Sequence, residues 1–339
     1  MTDMSSNNLS CLDQFEGLCD LVQGKNYRSA LDLPDEVVET YKPLARGEYN
    51  VNFTFIHPKS QKRFVLRVNL ASQMHLENQI AYEFNALKLL ESSNRTPHAY
   101  YCDATKSICK NGILVEEFLT GKPLHYDNDL DFFEASRIFA DIHSISVSNN
   151  CGLIKETSAY KAIFDESVYM ANIYLNSSVA THTGKKLVES TIAHCENVLA
   201  SANYSDPRIS IVNSEVNSSN FLMNGESTGY LIDWEKPILG DVAQDLGHFL
   251  ADTTTLWKSE VLIAKKQKSD FMDSYIEAVN GRFVDDDIKA RALDLAEFTK
   301  LRGITWCAMA YAQHIEGIYT LSDEYTLNKC KRYLEDYFV

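Results

Sequence analysis

The chain has 339 residues, 45% of them apolar and 23% charged, with a formal net charge of −15. That length suits two lobes better than one simple core, and the acidic balance argues against nucleic acid or an anionic membrane as the main partner. No apolar run reaches the roughly 18 residues of a membrane span, and the opening MTDMSSNNLSCLDQFEG lacks the basic and apolar stretches of a secretory signal, so a cytoplasmic protein is expected.

Eight cysteines stand singly, at 11, 19, 102, 109, 151, 195, 307 and 330. None forms a CxxC pair, so neither zinc spacing nor a compact disulfide framework is expected, and the thiols read as free. The charge is uneven. Residues 1–119 hold 15 acidic and 12 basic side chains, and residues 120–339 hold 32 and 20. A cationic ligand would be drawn to the second part, although acidic surfaces also serve solubility alone. No pattern in the chain sets an oligomeric state.

In chain order, residues 1–40 read as a helical cap, its polar first ten residues being candidates for disorder. From about 43 the pattern turns to strand. PLARGE, NVNFTFI and RFVLRVN are short runs with alternating faces, and HPKSQK between the last two is a turn. A helix is expected over roughly 74–92, where Ile80, Phe84, Leu87 and Leu90 recur at helical spacing. AYYCDA and GILVEEFL then add two strands. After Gly121 helical periodicity dominates, over 131–146, 158–175, 179–201, 245–256, 258–279, 285–316 and 324–337. A short β section at 209–235 interrupts it. The layout predicts an α+β, two-lobed, protein-kinase-like fold. Residues 1–119 form a small lobe with a five-stranded antiparallel sheet and one helix, and residues 120–339 form a larger, mainly helical lobe.

The β section reads strand, polar loop, strand, Asn-Gly turn, strand, aspartate. Its loop is Asn213-Ser214-Glu215-Val216-Asn217-Ser218-Ser219-Asn220, followed by Ile232-Asp233-Trp234-Glu235, then Gly240-Asp241 and Asp245-Leu246. This run resembles the aminoglycoside phosphotransferase/choline kinase superfamily, whose loop is His-x-Asp-x-x-x-x-Asn with an Asp on the next strand. The resemblance covers about residues 43–255. It implies that Asn220 and Asp233 hold Mg²⁺ on the phosphates of ATP, and that Glu215 takes the catalytic Asp position with Asn213 in place of the His. It further implies that Asp245 braces the loop. The chemistry fits: a carboxylate and an amide carbonyl are hard oxygen ligands, and a second carboxylate can serve an attacking hydroxyl.

The first lobe carries matching residues. Gly47 to Asn50 resembles the family's phosphate-covering turn, although taken alone it is also an ordinary hairpin. Val65 and Arg67 lie two apart and share a strand face, so the resemblance sets Val65 against adenine and Arg67 on the phosphates. Glu83 is the expected ion-pair partner of Arg67, with Glu77 the other candidate. Glu116 to Phe118 correspond to the hinge that meets the adenine edge. The expected activity is ATP- and Mg²⁺-dependent phosphorylation of a small-molecule hydroxyl, the acceptor being an amino alcohol, an aminoglycoside or a sugar. A catalytically silent nucleotide binder and an adenylyl transferase are the alternatives that the Glu215 and Asn213 departures raise. Trp306 and Tyr311 are candidates for the acceptor pocket or, as helix residues, for the core. His143 and His248 read as structural.

Overall fold

The computed structural model describes residues 8–156, 158–225, 228–321 and 324–338. Two compact units are present. The first comprises residues 1–122, 145–154 and 222–237, and the second residues 123–144, 155–221 and 238–339. The first unit therefore takes two pieces from the later chain. The expected disorder of the first ten residues falls mostly on residues 1–7, outside the described residues.

The first unit is built on five antiparallel strands, β1 (Lys42–Arg46), β2 (Asn50–Ile56), β3 (Arg63–Asn69), β4 (Ala99–Asp103) and β5 (Gly112–Glu117), in the order β1-β2-β3-β5-β4. In β2, Phe53 and Phe55 are buried two apart, as one face of a strand requires. They form one core with Leu66 and Val68 of β3, Val115 of β5, and Leu18, Leu21 and Val22 of the short helix α1 (Leu18–Gln23). After α1 comes α2 (Lys25–Ala30), where the buried Arg28 pairs with Glu39 at 2.8 Å. The long helix α3 spans Gln79–Leu90 and buries Ile80, Leu87 and Leu90. It starts five residues later than its periodicity suggests, the chain turning at residues 73–74 and again at 77–78 before it.

The second unit is helical around a two-stranded ladder, in which Ile209–Val212 pairs antiparallel with Ile238–Asp241. Its longest helix, Ile288–Ile315, packs against the helices Ala159–Leu175 and Ala243–Leu250. Trp306 meets Trp257 edge-on at 5.7 Å and lies, like Tyr311, against the buried cluster around Cys307 and Tyr333. Two expected helices differ. The helix over 245–256 is broken at the extended Ala251 into Ala243–Leu250 and Asp252–Lys258. The next one begins at Lys265 rather than 258. Ser259 explains the second difference: its hydroxyl donates to Thr255 O at 2.6 Å and accepts from Val261 N at 3.3 Å, offering the backbone an alternative to helix.

Close packing makes Gly247 a sensitive point. A Cβ there would lie 2.7 Å from Leu295 Cβ and 2.9 Å from both Ala292 O and Ala296 N. Helix propensity alone would make Gly247→Ala stabilising by about 1 kcal/mol. Overpacking of about 1–3 kcal/mol opposes it, with backbone atoms on the clashing side. The expected result is a lower melting temperature by circular dichroism, and an unchanged or higher one would refute this packing.

Candidate active site

In the first unit, alternation along β3 places Val65 and Arg67 on the same face, and both are buried. The Arg67 guanidinium meets carboxylates from separate stretches of chain. Its Nη1 pairs with Glu83 on α3, its Nη2 lies 3.1 Å from Asp233 Oδ1, and its Nη1 lies 3.7 Å from Glu235 Oε1. Glu116 on β5 adds a fourth negative charge to its surroundings.

Local chemistry fixes each of these acids. Asp233 sits at φ 64°, a left-handed conformation that Asp tolerates better than most residues. Trp234 anchors the turn, buried and donating from Nε1 to Leu231 O at 3.0 Å. Asp233 and Glu235 both reach Arg67 across it. Helix α3 holds the same segment through its first turns, where Gln79 Nε2 donates to Glu235 O at 2.6 Å and Tyr82 Oη to Pro237 O at 2.6 Å. Gln79, Tyr82 and Glu83, spaced i, i+3 and i+4, share one helix face. Asn50 donates to Glu235 and accepts from Asn69 at 3.1 Å, so its side chain braces the acid cluster. Gly47 N closes the preceding turn on Asn50 O at 2.9 Å. At the proposed hinge, Glu117 N donates to His98 O and Phe118 N to Arg63 O, while the Arg63 guanidinium lies over the Phe118 ring.

One buried cation among four carboxylates leaves negative charge uncompensated. Burial works to lower the Arg67 pKa, but the acids around it, Glu83 first, more than reverse this, and Arg67 stays charged. Burial and then Asp233 push Glu235 up to about 7, against the pull of Arg67 and Asn50. Burial likewise raises Glu83, to about 8, and Glu116. Arg67 Nε and Glu83 Oε2 are buried without hydrogen-bond partners.

In the second unit, the loop Asn213 to Asn220 leaves the strand Ile209–Val212 and is clamped at its start. Asp245 accepts from Asn213 N at 2.7 Å and Ser214 N at 2.8 Å. His248 Nδ1 lies 3.1 Å from Ser214 O. His143 is fully buried, with Nε2 3.5 Å from Asp245 and Nδ1 3.0 Å from Tyr275 Oη. Asn213 Oδ1 accepts from Glu215 N at 3.1 Å, and Asn220 Nδ2 donates to Glu215 O at 2.8 Å. Asn220 thus spends its amide nitrogen inside the loop and keeps its carbonyl oxygen for another partner. Asp241 is held by Arg291 at 2.9 Å, which also binds Asp285.

Arg67, Glu83, Asp233 and, through Glu235, Asn50 therefore form one cluster, and Glu215 and Asn220 form another, each within its own unit. His143 and His248, read from the sequence as structural, do support this loop, whereas Arg291, which holds Asp241, carries no signal in the sequence.

Among the described residues no group of three or more His, Cys, Asp or Glu could hold a metal by itself. Mg²⁺ commonly uses one or two protein oxygens and completes its shell with phosphates and water. The Asp233 carboxylate in the first unit and the Asn220 carbonyl in the second are each an oxygen donor of that general kind.

These features define a two-lobed, protein-kinase-like α+β protein. Residues 40–277 match the phosphotransferase enzyme family, and the chain belongs to it. Solved structures share the fold. A presumed aminoglycoside phosphotransferase from Ralstonia eutropha JMP134 superposes with a TM-score of 0.67 at 14% identity, over 94% of this chain and 95% of that one. Choline kinase from Cryptosporidium parvum Iowa II gives 0.62 at 14% identity over 94% of each chain. Spectinomycin phosphotransferase, solved with ADP and spectinomycin, gives 0.60 at 12% identity over 100% of this chain and 96% of that one. No curated protein matches in sequence. Among the described residues no helix is long and apolar enough to cross a membrane.

The acid cluster predicts a pH dependence. Glu235 and Glu83 titrate higher folded than the ordinary 4.5, so the folded state binds their protons more tightly. Their contribution to stability is full below about pH 4.5 and lost as pH rises through about 7 to 8. The melting temperature of the ligand-free protein should fall across that window, and Glu235→Gln should make the fall shallower. An equal slope in the variant would remove Glu235 from this account.

Proposed function

We propose that the protein is an ATP-dependent kinase of a small-molecule hydroxyl, working with Mg²⁺. The observation that carries this reading is the loop in which the Asn220 side chain donates to the main-chain carbonyl of Glu215, five residues before it, and Asp245 holds the entry. In-line phosphoryl transfer demands positioning above all, and such a loop fixes the Glu215 backbone, from which its carboxylate leaves, relative to the Asn220 amide. Glu215 orients the acceptor hydroxyl and takes its proton. Arg67 holds phosphate oxygens, with Glu83 keeping its guanidinium in place. Asn220 and Asp233 are the magnesium ligands. Bound Mg²⁺ would neutralise phosphate charge during transfer. Gly47 and Asn50 form the turn over the phosphates, Val65 lies against adenine, and Glu116 to Phe118 supply the hinge backbone through groups other than the N–H of Glu117 and Phe118, which already bond His98 O and Arg63 O.

Two variants separate the assigned roles. Asp233→Ala should abolish the Mg²⁺-dependent part of ATP binding, measured by thermal shift with and without the metal, because one of two protein ligands is gone. Wild-type-like Mg–ATP binding in this variant would refute the ligand assignment. Glu215→Gln should keep Mg–ATP affinity but lower turnover about 100-fold or more, the usual scale of general acid–base help. Full turnover in that variant, followed by ADP release, would exclude Glu215 from the mechanism. A wild type that binds Mg–ATP and phosphorylates no acceptor would favour the silent-binder alternative.

A further inference from the structure

Three of the four carboxylates around Arg67 have partners of their own. Glu83 pairs with the guanidinium, Asp233 reaches it at 3.1 Å, and Glu235 accepts from Asn50. Glu116 differs. It is only 9% exposed, and what acts on its carboxyl is burial, then the charge of Arg67, then that of Asp233. Among the described residues no hydrogen bond reaches it. A buried carboxylate in that position has given up its hydration with no donor in exchange. Its oxygens are nevertheless open. Glu83 Oε2 is sealed and unpartnered, whereas neither Glu116 oxygen is sealed in this way, so a donor arriving from outside the protein can reach them.

The register of the sheet says where that donor would stand. Glu116 on β5 is paired with Val65 on β3, and Leu114 with Arg67. Directly opposed residues of antiparallel strands share a face. Glu116 therefore projects on the side of Val65 and Arg67, away from the core that Ile113 and Val115 enter. With adenine against Val65 and its edge at residues 116–118, as in the reading above, the Glu116 carboxylate stands at that edge. The amides of Glu117 and Phe118 add no donor there, being bonded to His98 O and Arg63 O. An ionised carboxylate offers acceptors only. Adenine carries a donor amine, N6, where guanine and hypoxanthine carry an acceptor oxygen, O6.

We infer that the Glu116 side chain accepts a hydrogen bond from the N6 amine of adenine and is the residue that selects ATP over 6-oxopurine nucleotides. This rests on the kinase reading, which used only the backbone of the segment, and adds a side chain that reads the base. An oxygen in place of the amine loses the bond and turns a lone pair toward a carboxylate. Sites built to bind an N–H group reject analogues that lack it.

Calorimetry on the full chain with the magnesium complexes of ATP, ITP and GTP tests this. ITP carries O6 and a protonated N1 where ATP carries the amine and a bare N1. The wild type should bind ATP about tenfold or more tighter than either of the others, the scale of one hydrogen bond to a charged group. Glu116→Gln should lower the ratio of ATP to ITP affinity by about tenfold, because its amide nitrogen can donate to O6. Glu116→Met, which can neither accept nor donate there, should narrow the ratio by weakening ATP. A carboxylate that serves only to pack or to balance Arg67 would change the affinity for all three nucleotides alike. An unchanged ratio in both variants therefore overturns the inference, as does a wild type that binds ITP as well as ATP. Preference for GTP would mean that guanine turns its N1 and N2 donors to Glu116; that result overturns the adenine assignment and leaves phosphotransfer intact. A wild type that binds none of the three would remove the kinase reading itself, and this inference with it.

Discussion

A guanidinium can be buried and still charged only where carboxylates come to it, and Arg67 draws them from α3, β5 and the segment after Leu231. Breaking such a pair from one side is costly, because the remaining charge stays buried alone. The first unit is organised around meeting that demand. Helix α3 supplies Glu83 and also ties down the backbone of Glu235 and Pro237, while Trp234 fixes the turn that aims Asp233 and Glu235 at the same atom group. Three more acids than one arginine can satisfy then remain close together. That crowding, added to burial, which is the larger cause, keeps the carboxyl of Glu235 titrating high.

The second unit solves the inverse problem. There a buried carboxylate, Asp245, takes backbone amides rather than cations, accepting from Asn213 and Ser214. Two charge-assisted hydrogen bonds to consecutive amides dictate how the chain enters the loop. Ser214 accommodates this with φ at 66°, a conformation that is sparsely populated and persists only where its surroundings over-determine it. His248 from the same helix, and His143 with Tyr275 behind Asp245, supply those surroundings.

Much of this was legible in the chain because it rests on local period and type. The alternation of β3 puts Arg67 beside Val65 on one face, the 3.6-residue rhythm of α3 gives a helix carrying Glu83, and Arg67 and Glu83 do pair. The five strands and the helical remainder follow from the same periodicities. What escaped depends on distant partners or on weak competition. No proline and no adjacent glycine marks the break at Ala251, since Gly247 lies a full turn before it inside the helix, and the late start at Lys265 turns on a single serine hydroxyl. Tyr337 and Phe338 lie against the same core as the more conspicuous Trp306 and Tyr311 and also line a cavity. Period alone cannot tell these cases apart, because an aromatic at helical spacing fits either. Nor does chain order show that residues 145–154 and 222–237 fold with the first unit.

The two departures from the family's loop make sense together. Asn213 is not a vacant substitute for His: its side-chain oxygen accepts the Glu215 amide two residues on, the turn that asparagine forms most readily. That bond sets the backbone from which the Glu215 side chain leaves. Asn220 closes the loop on the Glu215 carbonyl from the other side. The backbone of Glu215, the base in the proposed mechanism, is thus held at its nitrogen and at its oxygen by two asparagine side chains, and the loop has little slack with which to retract a longer acid. A Glu in place of Asp then moves the carboxylate outward by one methylene from a fixed origin. An acceptor served by such a base must sit correspondingly farther from the loop, in a site shaped for that distance.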